Sequence, residues 1–181
     1  MNRTYCAAAT AALMVWSVAP AHGAPKPASP AAEAKVMFQQ IDEWSADVAE
    51  SAFRLSEMAK SERDPESHLE QLAVMREDMN RIGTKLQSLD AMRDSLSTWE
   101  ARALDQTLAL MHEAADNAEQ AIQTFNSDRR HLWSTDYIRD TAQISKDADR
   151  VSSTLRDHLK LAKTHDKEEH LERSLGETPD F

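Results

Sequence analysis

Apolar residues recur along this chain at alternating intervals of three and four, which places them on one stripe of an α-helix because 3.5 residues nearly matches one helical turn. In the first such stretch the stripe is Met37, Ile41, Trp44, Val48, Leu55 and Met58, with Ser51 in the remaining slot. A second carries Met75, Met79, Ile82, Leu86, Leu89 and Leu96, broken only at Arg93. The third keeps the pattern through Leu104, Leu108, Met111, Ala115, Ala118, Ile122 and Phe125. Tyr137, Thr141, Ile144, Ala148, Val151, Leu155, His158 and Ala162 continue it in a fourth. Strand-like alternation is absent, and the chain holds only 3 glycines.

Each stretch opens on a helix start signal. Ser29 before Pro30 and Asp64 before Pro65 pair an N-cap with a proline at the first helical position, where a missing N–H costs nothing. Ser97 and Glu100 have the spacing of a capping box, and Ser134 caps the fourth stretch with Trp133 placed to staple onto Ile138. These signals predict helices over about 31–61, 65–95, 98–126 and 135–165. The connections near 61–64 and 94–97 are short, so consecutive helices are expected to be antiparallel neighbours. Apolar positions beside the stripe (Val74, Ala103, Ala114, Ile138 and Leu159) widen it to the face of a bundle helix, beyond the narrow seam of a two-stranded coiled coil. The expected fold is all-α, an antiparallel up-down-up-down four-helix bundle with coiled-coil-like heptad packing over residues 31–165. Phe38, Phe53 and Leu110 fall off the stripe and are the candidates for a homodimer contact.

The two ends read differently from this middle. Residues 1–23 have the form of a secretory signal: Arg3 supplies the positive start, Cys6 to Ala19 form an apolar run, and small residues allow cleavage after Ala21 or Gly23. That run is shorter than the roughly 20 residues a membrane span needs, and no later segment is apolar enough to be one. Residues 24–30 are a Pro-rich leader that cannot itself form a helix, and 166–181 read as a charged tail with little to bury.

Composition narrows the partners. Of 21 basic and 31 acidic residues, the signal holds only Arg3, so its removal takes the net charge from −10 to −11. That sign disfavours nucleic acid and anionic membrane surfaces as partners. The 1 cysteine, Cys6, lies inside the signal, so no disulfide is expected and stability must come from packing.

Candidate chemistry is sparse. No histidine has Glu three positions before it, which rules out the Glu-x-x-His pair of di-iron bundles, and covalent haem attachment lacks its cysteines. Met37, early in the first helix, and His158, late in the fourth, fall at the same end of an up-down-up-down bundle. This resembles the ligand arrangement of soluble b-type cytochromes with a four-helix fold, and it implies a non-covalent haem held by those two residues; Met is also an ordinary core filler. His165 and Glu169 stand one turn apart, a spacing that suits a divalent metal at a surface and equally a solvated helix end. A Gly-x-Ser-x-Gly turn, a mature cysteine and a glycine-rich phosphate loop are all missing, so no enzyme is expected. His68 and His112 read as surface or boundary residues, and Trp44 and Trp99 as packing.

The segment from Phe125 to Trp133 gathers Arg129, Arg130, His131 and Trp133 at one end of an acidic body, a composition suited to a protein-recognition tip. The plainer account has Trp133 stapling the fourth helix and the arginines covering helix C-termini. Gly83, inside the second helix, costs about 1 kcal/mol against alanine and marks a close approach, a kink or a partner contact.

Met79-Asn-Arg-Ile-Gly83, the run from Leu89 to Glu100, and Phe125 to Trp133 resemble exported bacterial helical-bundle proteins of unknown function, a likeness that brings no activity with it. Leu96-Ser-Thr-Trp-Glu100 is similar to the Leu-Thr-x-x-Gln helix start of periplasmic stress chaperones, in one imperfect copy. The sequence thus points to a non-enzymatic exported protein of the periplasm or exterior, without a cofactor, that binds or scaffolds a protein partner in the envelope. The alternatives it leaves open are a haem or metal carrier and a chaperone.

Overall fold

The computed structural model describes residues 29–61, 64–127, 129, 132 and 134–176. The expected signal and all of the leader before Ser29 lie outside the described residues. Among those described, the structure is all-helical, without strands: α1 (Pro30–Ser61), α2 (Pro65–Ala91), α3 (Thr98–Ser127) and α4 (Thr135–Gly176), with one 3-10 turn at Arg93–Ser95 between α2 and α3.

The starts form as their residue types require. Ser29 Oγ accepts from the Ala32 N–H at 3.3 Å. Asp64 accepts from the Glu66 and Ser67 N–H groups at 3.3 and 3.1 Å, with Pro65 at the first position. The Glu100 carboxylate takes the Ser97 N–H at 2.7 Å while Ser97 Oγ receives the Glu100 N–H at 3.4 Å, the reciprocal bonds of a capping box. Ser134 Oγ accepts from the Tyr137 N–H at 3.3 Å; Trp133, its expected staple, lies outside the described residues.

Two boundaries differ from expectation. α2 stops at Ala91, because the chain tightens into the 3-10 turn and uses Arg93 there: its Nε reaches Asp90 at 2.9 Å and its Nη1 reaches Asp105 on α3 at 2.8 Å. Arg93 interrupts the apolar stripe because the helix has already ended. α4 instead runs on to Gly176, past the expected end at 165, so residues read as the start of a tail are helical.

Packing is uneven around the four helices. α4 lies against both α1 and α3, and α1 against α2, but α2 and α3 barely touch. The shared core is built from Phe38, Ile41 and Leu55, Met75, Ile82 and Leu89, Leu104 and Phe125, and Tyr137, Ile144 and Leu155, all essentially inaccessible. Each such side chain contributes about 1.5–3 kcal/mol by leaving water. Polar ties run between α1 and α4: Lys35 pairs with Asp166 at 3.6 Å, and Asp42 binds both the Ser152 hydroxyl and Arg156.

Several side chains sit elsewhere than the pattern suggested. Phe38 and Leu110, candidates for a contact between copies, are buried in this chain's own core, leaving Phe53 as the exposed member of that trio. Val74 does not widen the buried face, since it is 51% exposed. His68, read as a surface or boundary residue, is fully buried, because it meets Tyr137 inside the core.

Candidate functional site

The sparse contact between α2 and α3 leaves a groove along the body. Its wider part, about 490 Å³, has Met79 and Gly83 on the α2 wall and Met111, Ala115, Ala118 and Ile122 on the α3 wall. Arg76 and Asn80 on one side, and Glu119 and Gln123 on the other, complete its lining. A narrower part of about 170 Å³ continues past Arg76 and Ile122 to Leu69, Leu72 and Phe125. Because Arg76 and Ile122 line both parts, they form one continuous trough.

The heptad stripe explains why this trough is apolar. Met79, Met111, Ala115, Ala118 and Ile122 are all stripe positions, the residues that in a closed bundle would interdigitate between α2 and α3. Here Met79 and Ile122 are only partly buried and Ala115 is exposed, while Ala114 beside it takes the buried slot. On α2, Met75 and Ile82 are fully buried, while Asp78 lines a cleft shared with α1. The groove was not legible from the sequence, because periodicity marks apolar positions without saying which helices close on each other. Gly83 was the one local signal of it.

A cleft of similar size, about 540 Å³, separates α1 from α2, but its chemistry is different. Three of its four carboxylates are matched by arginines: Arg54 holds Glu50, and Arg81 holds both Glu77 and Asp78. Burial pushes the Asp78 carboxyl above its usual range, with Arg81 opposing and Asp47 and Glu77 reinforcing. This is a paired, solvated furrow.

The residues singled out from sequence are not gathered into one site. Met37 is buried in the core. His158 is partly exposed, its Nε2 sharing a 3.1 Å hydrogen bond with Gln106 Oε1 and its ring stacked on Trp99, which in turn lies against Phe38. The cavity at that end of the body, about 320 Å³, is lined by residues such as Lys35, Trp99, Glu100 and Asp166, with neither Met37 nor His158 among them. The side chains of His165 and Glu169 lie outside the described residues, and elsewhere no three metal-ligating side chains among the described residues converge.

Of the expected recognition tip, Arg130, His131 and Trp133 also lie outside the described residues. Arg129 is placed, with its guanidinium 5.1 Å from the centre of the Phe125 ring, a cation–π contact. Since Phe125 lines the narrow end of the trough, Arg129 adjoins the groove. No described helix is long and apolar enough to cross a membrane. No family model, curated protein or solved structure matches this chain.

Proposed function

We propose that this protein is an exported, non-enzymatic binding or scaffolding module of the cell envelope, and that it acts by docking helices along the open α2–α3 trough. The observation that carries the reading is the trough itself: stripe residues of two facing helices line an open channel, and apolar grooves of this shape receive an amphipathic helix. Export is supported by the signal pattern of residues 1–23, and the lack of a catalytic role by the absence of the nucleophile and phosphate-loop motifs noted above.

The architecture goes with this role. We read the helices as an up-down-up-down antiparallel bundle in heptad register. In support, Lys35 meets Asp166 while the later Asp42 meets the earlier Ser152 and Arg156, so positions on α1 and α4 run in opposite order. Three of the four seams of such a bundle are closed by its own side chains, and the fourth is left for a partner.

A photo-crosslinking residue placed at Ala115, with a control at exposed Ser153 on α4, tests the reading in the exported full chain. A discrete protein adduct is expected from the groove position only. Equal labelling from both, or none from either, would overturn the proposal. The same trough favours one second reading, a periplasmic chaperone that shields apolar segments of unfolded clients; suppression of client aggregation, lost in Ala115→Arg, would select it.

A further inference from the structure

Resting on the reading of the α2–α3 seam as a helix-docking face, we infer that its occupant is the same seam of a second copy of this chain. The charges at the trough are self-complementary. Arg76 on the α2 wall and Glu119 on the α3 wall line the same part of it. Neither has an ion pair among the described residues, in contrast to Arg81 one turn and a half further along α2, which holds two carboxylates. Glu119 accepts only a 3.1 Å hydrogen bond from its neighbour Gln123. A two-fold axis running along the trough lays α2 of one copy over α3 of the other at the same height. Arg76 then faces the second copy's Glu119, and Glu119 faces the second copy's Arg76, the reciprocity that an isologous interface requires.

Gly83 supplies an independent reason for close approach. A Cβ built there meets nothing within 4 Å, so this chain's own packing does not require the bare position. Glycine inside a helix nevertheless costs about 1 kcal/mol against alanine. An incoming helix accounts for it, because the missing side chain lets Met111 on α3 of the second copy settle against the α2 backbone. Two seams face to face would also bury the stripe positions that one copy leaves open, making a second four-helix layer from α2 and α3 of each copy.

Net charge opposes pairing of like copies but does not decide it. Repulsion between exposed charges is screened beyond about 8 Å at physiological salt, whereas the apolar contact and the facing Arg–Glu pairs act at short range. The face spans Leu69 to Gly83 on α2, about 21 Å of helix, so a reversible dimer is expected.

Sedimentation of the purified protein from about micromolar to about millimolar concentration tests the inference. The wild type is expected to dimerise reversibly. Arg76→Glu and Glu119→Arg each place like charges opposite one another twice, and each should weaken dimerisation about tenfold or more. The double variant restores opposite charges and should return association to near wild type, with helical content unchanged throughout because both positions are exposed. A protein that stays monomeric over the whole range, or a dimer indifferent to the swaps, or a double variant that fails to recover, overturns the inference. A monomer whose Ala115 crosslinker still captures a different protein sinks only the second copy as occupant; a monomer that captures nothing sinks the docking reading as well.

Discussion

Nδ1 of His68 and the hydroxyl of Tyr137 share a 3.2 Å hydrogen bond with both residues fully buried, joining α2 directly to α4 across the core. Their rings meet edge to face, with centroids 5.6 Å apart. Burial pushes the Tyr137 hydroxyl well above its usual range, so it keeps its proton wherever the protein is folded. Removing either member of a buried polar pair strips the other of a bond made out of water, which is costly.

Tyr137→Phe removes the hydroxyl and keeps the ring. It is expected to cost about 1–3 kcal/mol, the penalty for stripping a buried polar atom of a partner. Urea unfolding measures it, and an unchanged midpoint would mean that the bond contributes nothing.

Two other buried hydroxyls act in the opposite sense. Ser45 Oγ and Thr107 Oγ1 are inaccessible and have no hydrogen-bond partner among the described residues. Ser45→Ala and Thr107→Val should therefore each stabilise the fold by about 1 kcal/mol, because they delete a desolvated group that returns nothing. Thermal unfolding of the single variants is the check; a loss of stability in both would show that the hydroxyls are satisfied in solution.

Asp78 and Asp64 should respond to pH with opposite signs. Burial raises the Asp78 carboxyl above its unfolded value near 3.9, so the folded state prefers it protonated, and stability is lost as pH rises through that range. Asp78→Asn is accordingly more stable than wild type at neutral pH, by a margin that closes below about pH 4. Hydrogen bonds from the Ser67 hydroxyl, the Ser67 N–H and the Glu66 N–H hold the Asp64 carboxyl below its usual range. Its contribution is present above the unfolded value and lost as pH falls through the folded one, so Asp64→Ala is less stable than wild type at neutral pH and converges on it in acid. Melting temperatures of both variants across acid to neutral pH settle the signs.

Ser97→Ala breaks one half of the capping box at the start of α3. A loss of about 1 kcal/mol is expected. Glu100, buried at 3% exposure, loses the 2.6 Å bond it accepts from the Ser97 hydroxyl and keeps the one from the Ser97 N–H. Calorimetry of the variant, compared with Thr98→Ala as a control without a cap bond, tests it.

The residues by themselves determined the four helices of the described residues and where each begins, because caps and apolar periodicity act within one turn and need no distant partner. Ser29, Asp64, Ser97 and Ser134 all bond as their positions demanded. They also marked which residues are apolar, but not which of those meet. Whether Met79 and Ala115 lie in a core or line a trough depends on how far apart α2 and α3 come to rest, and that distance is set by α1 and α4 between them. The same holds for His68 and Tyr137, 69 positions apart in the chain and hydrogen-bonded in the core. Local sequence chooses the element; only the summed packing of all four helices chooses the seam that stays open.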